Sequence, residues 1–340
     1  MKIEQNIDLK KYSSMVIGGQ AKYFALVESE DDLSEVLELS KKENIPLYIV
    51  GDGTNIIWSE KIHDMMIVKV NILGIKILEE NEDFALVEVG AGENWDGFVG
   101  KMVEKDFSGI EAMSAIPGTV GATPVQNVGA YGQEVKDTIV EVSVYDTQDK
   151  SFKKLSNKEC GFSYRGSIFK NDHKGRYIIL SIVFKLNKND YKIPDYPGVQ
   201  KYFEENHIKD ISLRDIREAI VQIRKNKLPD PKIIPNCGSF FENVLVDEDT
   251  FTKIKTQYPD IKYFQTENGQ IKIPTGWLLE KCDLKGKYVG KLKLHDQNAL
   301  VLTNPDGAGF DDLLDSRKKI INIVKEKFGL DIDNEPNIIY

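Results

Sequence analysis

Arg165 is a residue whose type and surroundings suggest ligand binding. It lies in the segment CGFSYRGSIFK, residues 160–170, among aromatic residues and few carboxylates. An arginine with apolar neighbours must find an anion or a carbonyl group, and its planar guanidinium suits a carboxylate or a phosphate. The alternative is a surface arginine whose stem covers an aromatic ring. Local composition alone favours that alternative.

Ser239 follows a glycine in the segment NCGSFFEN, residues 236–243. Its hydroxyl can donate a hydrogen bond to a ligand. A serine nucleophile needs a general base, but no histidine lies nearby in the sequence, where the four are His63, His173, His207 and His295. A serine that only donates a proton needs no such base. The common alternative is a structural serine at the start of a strand.

Glu335 lies in the C-terminal segment LDIDNEPNIIY. Chain termini are generally mobile, but the apolar residues Leu330, Ile332, Ile338 and Ile339 indicate that this one packs against the protein. A carboxylate on a packed terminal strand can orient a cation or polarise a bound group.

The segment SAIPGTVGATPVQNVGAYG, from Ser114 to Gly132, predicts a ligand-binding loop. It has neither the periodicity of an amphipathic helix nor the alternation of a strand. Glycines allow positive φ and a close approach of backbone to ligand, and consecutive N–H groups bind anions. The stretch contains no GxGxxG fingerprint and no Walker lysine. A loop without a ligand is the alternative, although long irregular stretches in compact domains are usually functional.

A second glycine-containing loop, GDGTN at residues 51–55, follows the short apolar strand predicted at 47–50. A strand followed by a Gly-x-Gly turn with a hydroxyl and an amide can bind a phosphate through backbone N–H groups. Ordinary tight turns have the same composition, so the pattern alone leaves both interpretations open.

The elements that must position these residues predict an α+β protein, because strands and helices do not alternate as in βαβ units. Helices are predicted after caps at Ser29 or Asp31, at Asn94 and at Ser212, and at 249–258, 275–282 and 310–328. Strands are predicted at 47–50, 65–70, 176–186 and 238–246 and in the tail, with hairpins at 74–92 and 139–155.

Composition bounds the protein class. The 340 residues, 41% of them hydrophobic, predict two or three globular domains. The net charge of −9 disfavours nucleic acid or an anionic membrane as a partner, without excluding a small anionic ligand. Cys160, Cys237 and Cys282 lack metal-ligand spacing, so we expect no metal site and a reducing compartment. With no signal peptide or membrane span apparent, we expect a cytoplasmic protein.

The order of the motifs resembles the UDP-N-acetylenolpyruvoylglucosamine reductases (MurB), flavoenzymes of bacterial cell-wall synthesis. From the N-terminus the motifs are GDGTN, IPGTVGATPVQNVGAYG, YRGSIFK, KLPDP, NCGSFFEN, GWLLEKC and NEP. Any one can arise by chance, but seven in order are specific. The resemblance extends from Val16 to Glu335, and the long loop from Lys188 to Gly198 is similar to that of the type I class.

The resemblance implies a fold and an activity. Two FAD-binding subdomains of the vanillyl-alcohol-oxidase (PCMH) type, residues 1–71 and 72–190, precede an α+β substrate-binding domain at 191–340. The implied reaction reduces UDP-N-acetylglucosamine enolpyruvate to UDP-N-acetylmuramate in peptidoglycan biosynthesis, with NADPH as co-substrate and hydride transfer through FAD. A monomer is expected.

The resemblance also implies residue roles. Arg165, Ser239 and Glu335 match the catalytic residues, with Ser239 as the proton donor and the other two at the substrate carboxylate. The residues that match substrate-binding positions are Tyr164, Tyr196, Lys227, Asn243 and Gln297. The residues that match FAD-binding positions are Gly51, Gly53, Thr54, Asn55, Ile56, Ser114, Ile116, Pro117, Gly118, Thr119, Gly121, Ala122, Gln126, Asn127, Gly129, Ala130 and Tyr131.

The sequence departs from the family pattern at a few positions. Asp52 replaces a glycine of the phosphate loop, and an acid beside a pyrophosphate is unfavourable unless its side chain points away. Glu242 stands where a lysine is common and Val244 replaces a proline. Around Glu335, Asn334 replaces a proline and Pro336 replaces a valine.

Two rival functions follow from these observations. An FAD oxidase of the same fold is one rival, but the glycine-rich stretch has no histidine or cysteine for a covalent flavin link. A sugar-nucleotide-binding protein without turnover is the other, and the presence of Arg165 and Ser239 disfavours it.

Overall fold

The structure is a computed structural model that describes residues 3–188, 190–266 and 269–340. Five residues of the predicted domains lie outside the described residues: Met1, Lys2, Asn189, Glu267 and Asn268. Asn189 also belongs to the loop that resembles the type I class.

Backbone contacts divide the chain into two compact units. Unit 1 comprises Met1–Ile7, Ala21–Asp52 and His63–Arg224, and unit 2 comprises Asp8–Gln20, Gly53–Ile62 and Lys225–Tyr340. Two N-terminal segments therefore pack with the C-terminal part of the chain. The three domains with boundaries at 71 and 190 stay a prediction, since these units follow contacts and interleave along the chain.

Strands and short helices make up most of both units. The α-helices described, α1 to α7 in chain order, are Glu30–Glu43, Trp95–Glu104, Pro197–Glu205, Leu213–Lys227, Glu248–Gln257, Thr275–Lys281 and Phe310–Phe328. The strands described, β1 to β21, are Ile3–Asp8, Gln20–Val27, Leu47–Val50, Ile56–Trp58, Ile62–Val70, Ile75–Glu80, Phe84–Gly90, Phe107–Ser108, Gly129–Ala130, Gln133–Glu134, Ile139–Asp146, Ser151–Ser156, Tyr177–Lys188, Asn236–Ser239, Val244–Val246, Phe264–Gln265, Ile271–Ile273, Tyr288–Val289, Leu292–Leu294, Val301–Thr303 and Asn337–Ile339.

Two larger sheets and the short β9–β10 pair make up the described sheets of unit 1. One has the order β1-β2-β5-β3, with β3 and β5 parallel, and the larger has the antiparallel order β12-β11-β13-β7-β6. Its core includes Trp95 and Phe98 of α2 and Phe184 of β13, whose ring centroids lie 5.2 to 6.0 Å apart. Their burial anchors α2 against the larger sheet.

Local capping signals in unit 1 confirm the predicted helix starts. The Ser29 hydroxyl accepts from the Asp32 N–H at 3.1 Å, and Asn94 Oδ1 accepts from the Gly97 N–H at 2.8 Å. Ser212 and Asp215 form the predicted capping box. The sequence analysis did not predict α3.

Unit 2 contains small sheets around an apolar core. Their orders are β14-β20-β19-β18, β15-β17-β16 and the parallel pair β21-β4. Leu278, Leu313 and Ile320 lie fully buried in this core, so α6 and α7 pack on it. The predicted helices at 249–258, 275–282 and 310–328 are confirmed within a residue or two.

The single strand predicted at 238–246 is wrong. Strand β14 ends at Ser239, and β15 begins at Val244 in a different sheet. Between them, Asn243 Oδ1 and the Glu242 carbonyl accept hydrogen bonds from the backbone N–H and the hydroxyl of Thr275, at 3.1 and 2.5 Å. These contacts with the start of α6 draw the chain away from β14.

Asp146 provides a test of the fold of unit 1. It is fully buried at the end of β11, and Arg176 contacts both carboxylate oxygens at 3.0 and 2.7 Å, with Lys153 at 2.9 Å. The Arg176 guanidinium holds the pKa of this carboxyl well below its usual range. Because the pKa is lower in the folded state, the carboxylate stabilises the fold above the unfolded pKa of 3.8 and loses that contribution as the pH falls below it.

We therefore expect Asp146→Asn to lower the free energy of unfolding by about 3–5 kcal/mol at pH 7, since it breaks a buried ion pair. At pH 3, the difference in the free energy of unfolding between wild type and Asp146→Asn should be smaller by about 1 kcal/mol. Urea denaturation at both pH values measures this, with the exposed Asp149→Asn as the control. An equal deficit at pH 7 and pH 3 would contradict the assignment.

Candidate active site

The glycine-rich loop is fixed to the segment that precedes α2. The Trp95 N–H donates to the Gly118 carbonyl at 3.0 Å, and the N–H groups of Val120 and Gly121 donate to the Glu93 and Ala91 carbonyls, both at 2.8 Å. A Cβ on Gly121 would lie 2.6 Å from the Ala91 Cβ, so only glycine fits there. The loop therefore has a defined path.

Asn127 and Ser114, both predicted FAD-binding residues of the glycine-rich loop, have side chains that hydrogen-bond within the protein. Fully buried Asn127 donates from Nδ2 to Glu134 Oε2 at 2.8 Å and to the Ser163 carbonyl at 3.0 Å, and its Oδ1 accepts from the Lys136 N–H at 3.1 Å. The Ser114 hydroxyl donates to the Glu111 carbonyl at 2.6 Å. Their side chains fix the shape of the loop, which leaves backbone groups to contact a ligand.

Arg165 lies beside this loop in unit 1. Its backbone adopts a left-handed conformation with φ of 50°, and its Nη2 donates to the Gly129 carbonyl at 3.1 Å. The guanidinium carbon lies 5.5 Å from the centre of the Tyr164 ring. Both features proposed for an arginine in this sequence context are present, a carbonyl partner and an aromatic neighbour, and the side chain is half-buried.

The sequence analysis missed a set of side chains that grip Ala115. This residue has a φ of 57°, and its N–H donates to Asp96 Oδ1 at 2.6 Å. Its carbonyl accepts from Arg224 Nε at 3.3 Å. Arg217 binds both Asp96 oxygens at 2.6 and 3.1 Å. No local signal marks these residues, because the pairing joins α2 and α4, more than a hundred residues apart.

The loop at 51–55 resolves the question raised by Asp52. Lys69 of β5 pairs with the Asp52 carboxylate at 2.8 Å, and both side chains are partly buried. The acid that replaces a family glycine is therefore neutralised by a lysine. Gly51 has little room for a side chain, because a Cβ would lie 2.7 Å from Thr119 Oγ1.

In unit 2, Ser14 connects the second half of that loop to β14. Its N–H donates to the Gly53 carbonyl at 3.0 Å and its hydroxyl to the Thr54 carbonyl at 3.2 Å. Its own carbonyl accepts from the Asn236 N–H at 3.0 Å. Ser14 thus bonds both the predicted phosphate loop and the strand that ends at Ser239, and the sequence analysis did not single it out.

A β-bulge in β14 precedes Ser239. The register with β20 shifts between Asn236 and Ser239, and Gly238 has a φ of 75° that favours glycine. Asn236 Oδ1 accepts from the Gly238 N–H at 2.9 Å, and its Nδ2 donates to the Pro229 carbonyl at 3.1 Å. The bulge and these bonds fix the backbone that leads into Ser239.

Glu335 lies on a segment that is hydrogen-bonded both to the residues after β14 and to the loop at 51–55. Its N–H donates to the Phe240 carbonyl, next to Ser239, at 2.9 Å. Its carbonyl accepts from Asn55 Nδ2 at 3.4 Å, and the Asn337 N–H donates to the Asn55 carbonyl at 3.0 Å. The structure therefore joins the segments that contain Ser239, Glu335 and Asn55, although they are far apart in sequence.

The residues that match substrate positions are found in varied settings. Tyr196 is exposed, and its ring stacks edge-on against Tyr131 at 5.1 Å. Lys227 is an exposed residue at the end of α4, and Gln297 is exposed. Asn243 accepts the Thr275 N–H through Oδ1.

The other predicted FAD-binding residues belong to the same two loops and differ in how far they are buried. Gly118, Thr119 and Gly53 are buried. Pro117 and Ala122 are exposed. Those that are half-buried are Thr54, Ile56, Ile116, Gln126, Gly129, Ala130 and Tyr131.

Cysteine thiols and metal-ligating side chains are two further kinds of group that can carry out chemistry. Burial, together with the Glu335 carboxylate, raises the pKa of the Cys237 thiol, so it stays protonated and is a poor nucleophile. Nowhere in residues 3–188, 190–266 and 269–340 do three His, Cys, Asp or Glu side chains gather as metal ligands would. Within the same ranges, no helix is long and apolar enough to cross a membrane.

Comparison with known proteins identifies the family. A profile of an FAD binding domain matches residues 21–153, and one of the UDP-N-acetylenolpyruvoylglucosamine reductase C-terminal domain matches residues 229–339. The UDP-N-acetylenolpyruvoylglucosamine reductase of Flavobacterium johnsoniae is 38% identical, with 100% of both chains covered. That of Bdellovibrio bacteriovorus is 37% identical, with 99% of each covered.

The chain belongs to the UDP-N-acetylenolpyruvoylglucosamine reductase family. The crystal structure of the Thermus caldophilus reductase (MurB) has the same fold, with a TM-score of 0.67 at 19% identity and 100% of both chains covered. The expected fold, a vanillyl-alcohol-oxidase-type FAD-binding region followed by a reductase C-terminal domain, is confirmed. The reductase family consists of FAD-dependent oxidoreductases of peptidoglycan synthesis, as the sequence resemblance implied.

The residues of the two loops fit FAD chemically. The predicted FAD-binding side chains are all uncharged. The one acid within the 51–55 loop, Asp52, is paired with Lys69. Backbone N–H groups beside uncharged side chains suit a pyrophosphate, which excess carboxylates would repel.

We expect the Asp52–Lys69 pair to affect the affinity for FAD, because Asp52 lies in the loop that is predicted to bind the cofactor. Lys69→Ala should raise the Kd for FAD about fivefold, since a partly exposed ion pair contributes about 1 kcal/mol. Adding Asp52→Asn to that variant should restore the affinity to within about twofold, because no unpaired charge is left. Fluorescence titration of flavin-free protein measures both values.

The matched control for this test is Lys22→Ala, which removes another lysine paired with an aspartate in unit 1, at 3.0 Å from Asp64. It should leave the Kd for FAD unchanged. An unchanged Kd in Lys69→Ala would mean that the pair does not act on the cofactor.

Proposed function

We propose that this reductase uses NADPH to reduce UDP-N-acetylglucosamine enolpyruvate to UDP-N-acetylmuramate, with Ser239 as the proton donor. The observation that carries this proposal is the joining of the Ser239, Glu335 and Asn55 segments by hydrogen bonds in unit 2. We further propose a cytoplasmic monomer, in which this product serves cell-wall growth and hence cell shape and division.

FAD, when bound, carries hydride from NADPH to C3 of the enolpyruvyl group. We propose that the backbone of the two loops holds it, chiefly at Gly53, Thr54 and Gly118, with Thr119 and Gln126 as further polar contacts. Those residues position the cofactor, and the hydride chemistry itself belongs to the cofactor.

Ser239 would supply a proton from its Oγ to C2 of the enolpyruvyl group. Its support is the bulge at Gly238, which fixes the backbone before the serine. A single donor aimed at the reacting atom contributes about 10²–10³ in rate. No base is needed beside Ser239, because the serine gives up a proton rather than attacking a substrate atom.

Arg165 and Glu335 would act on the substrate carboxylate, where negative charge develops. The fork of a guanidinium matches a carboxylate in geometry and stabilises that charge. A glutamate next to a carboxylate is repulsive unless it is protonated or offset by a cation. We propose that Arg165 supplies that offset.

The remaining residues would bind the sugar nucleotide. Lys227 is a point charge suited to the pyrophosphate, and Tyr196 would close over the uridine diphosphate. Asn243, whose Oδ1 accepts from the Thr275 N–H, would be a further polar contact. Tyr164 and Gln297 would complete the substrate contacts.

Ser239→Ala tests the proton donor. The reductive half-reaction with NADPH should be unchanged, whereas reoxidation of the flavin by the enolpyruvyl substrate should slow by about 10²–10³. Anaerobic stopped-flow absorbance follows each half-reaction separately, with Ser34→Ala, an exposed serine of α1, as the control. Normal reoxidation in Ser239→Ala would rule out this donor.

A further inference from the structure

The tail around Glu335 departs from the family pattern, and the structure shows what replaces the missing proline. Asn334 Nδ2 donates to the Pro336 carbonyl at 2.7 Å, so its side chain spans the residue between them. A hydrogen-bonded Asn side chain of this kind fixes a local turn. Glu335 sits inside that turn.

Helix α7 supplies a second contact to the same side chain. Arg317 Nε donates to Asn334 Oδ1 at 2.9 Å. The helix itself is firmly placed, because Leu313, Ile320 and Val324 are fully buried in the core of unit 2. Within the described part of the chain, Arg317 forms no ion pair with a carboxylate. Among the described residues, the polar partner of the Arg317 guanidinium is therefore the Asn334 side chain.

The backbone on either side of Asn334 is already bonded. Asn334 forms a β-bridge with Phe241, in which the Glu335 N–H donates to the Phe240 carbonyl and the Glu242 N–H donates to the Asp333 carbonyl, both at 2.9 Å. Neither bond uses the Asn334 N–H. These main-chain bonds therefore hold the backbone of residues 333–335 against residues 240–242. The Asn334 side chain fixes the turn that contains Glu335.

We infer that Arg317 and Asn334, together called the Arg317–Asn334 clamp, are positioning residues for Glu335. A proline fixes its own φ, whereas an asparagine is conformationally free and must be restrained by contacts. The clamp provides that restraint through two hydrogen bonds of one amide. This inference rests on the catalytic role proposed for Glu335.

Separate half-reactions test the clamp in the FAD-loaded reductase. Arg317→Ala and Asn334→Ala should each slow reoxidation by the enolpyruvyl substrate about tenfold, because a small misplacement of an acting group is costly. Reduction by NADPH should be unchanged. The double alanine variant should be no slower than the slower single variant, since both residues act through the same contacts.

A rescue variant separates positioning from general damage. Asn334→Pro keeps both backbone hydrogen bonds of the bridge, because neither uses the Asn334 N–H, and the proline ring fixes φ directly. In the Arg317→Ala background it should therefore restore reoxidation to within about threefold of wild type. Hydrogen exchange of flavin-free protein gives an independent readout. Amides in residues 330–340 should exchange faster in Arg317→Ala and return to the wild-type rate in the rescue variant.

Two reference variants distinguish the possible failures. Lys318→Ala removes an exposed cation next to Arg317 and should behave as wild type. Glu335→Gln should slow reoxidation; if it does not, the catalytic role of Glu335 is wrong and the clamp has no part in turnover. If Glu335→Gln is slow while Arg317→Ala reoxidises normally, or if Arg317→Ala slows both half-reactions equally, the clamp alone is overturned.

Discussion

The hydrogen bonds between three distant segments of unit 2 are the constraint on which the candidate active site depends. Ser14, Asn55 and Glu335 lie far apart in the sequence, with 280 positions between Asn55 and Glu335, yet each bonds backbone groups of another functional segment. Buried backbone groups must be paired, so a shift in one segment leaves polar groups of the next unsatisfied. The backbone around Ser239 is therefore held by the whole network.

In unit 1, residues of the glycine-rich loop, and Arg165 beside it, adopt costly backbone conformations. Ala115, Asn127, Tyr131 and Arg165 all have positive φ without being glycine. Each such residue costs about 1–3 kcal/mol and persists only where surrounding contacts determine it. The bonds from Asp96 and Arg224 to Ala115, and the three bonds of Asn127, are contacts of that kind.

The parts of the fold set by neighbouring residues could be predicted from the sequence. The caps at Ser29, Asn94 and Ser212 and the hairpin at 74–92 depend on residues close in sequence, and all are present. The strand predicted through Phe240 was wrong because its course is decided by Thr275, which a local pattern does not show.

The candidate site divides in the same way. The motifs identified the family, because their types and order are visible in one sequence, and they predict which residues form its site. The partners of those residues were not visible: Lys69 beside Asp52, Ser14 beside Gly53, and Arg317 beside Asn334 each come from another element. Side chains whose task is to hold a functional residue carry no motif of their own.

The central claim, that this chain reduces an enolpyruvyl sugar nucleotide through a flavin, is tested most directly by its visible absorption spectrum. The purified protein is reduced anaerobically with NADPH and then mixed with UDP-N-acetylglucosamine enolpyruvate. The account predicts a flavin band that bleaches with NADPH and returns with the substrate. A band that bleaches and does not return, or no flavin band even after FAD is added, would contradict it.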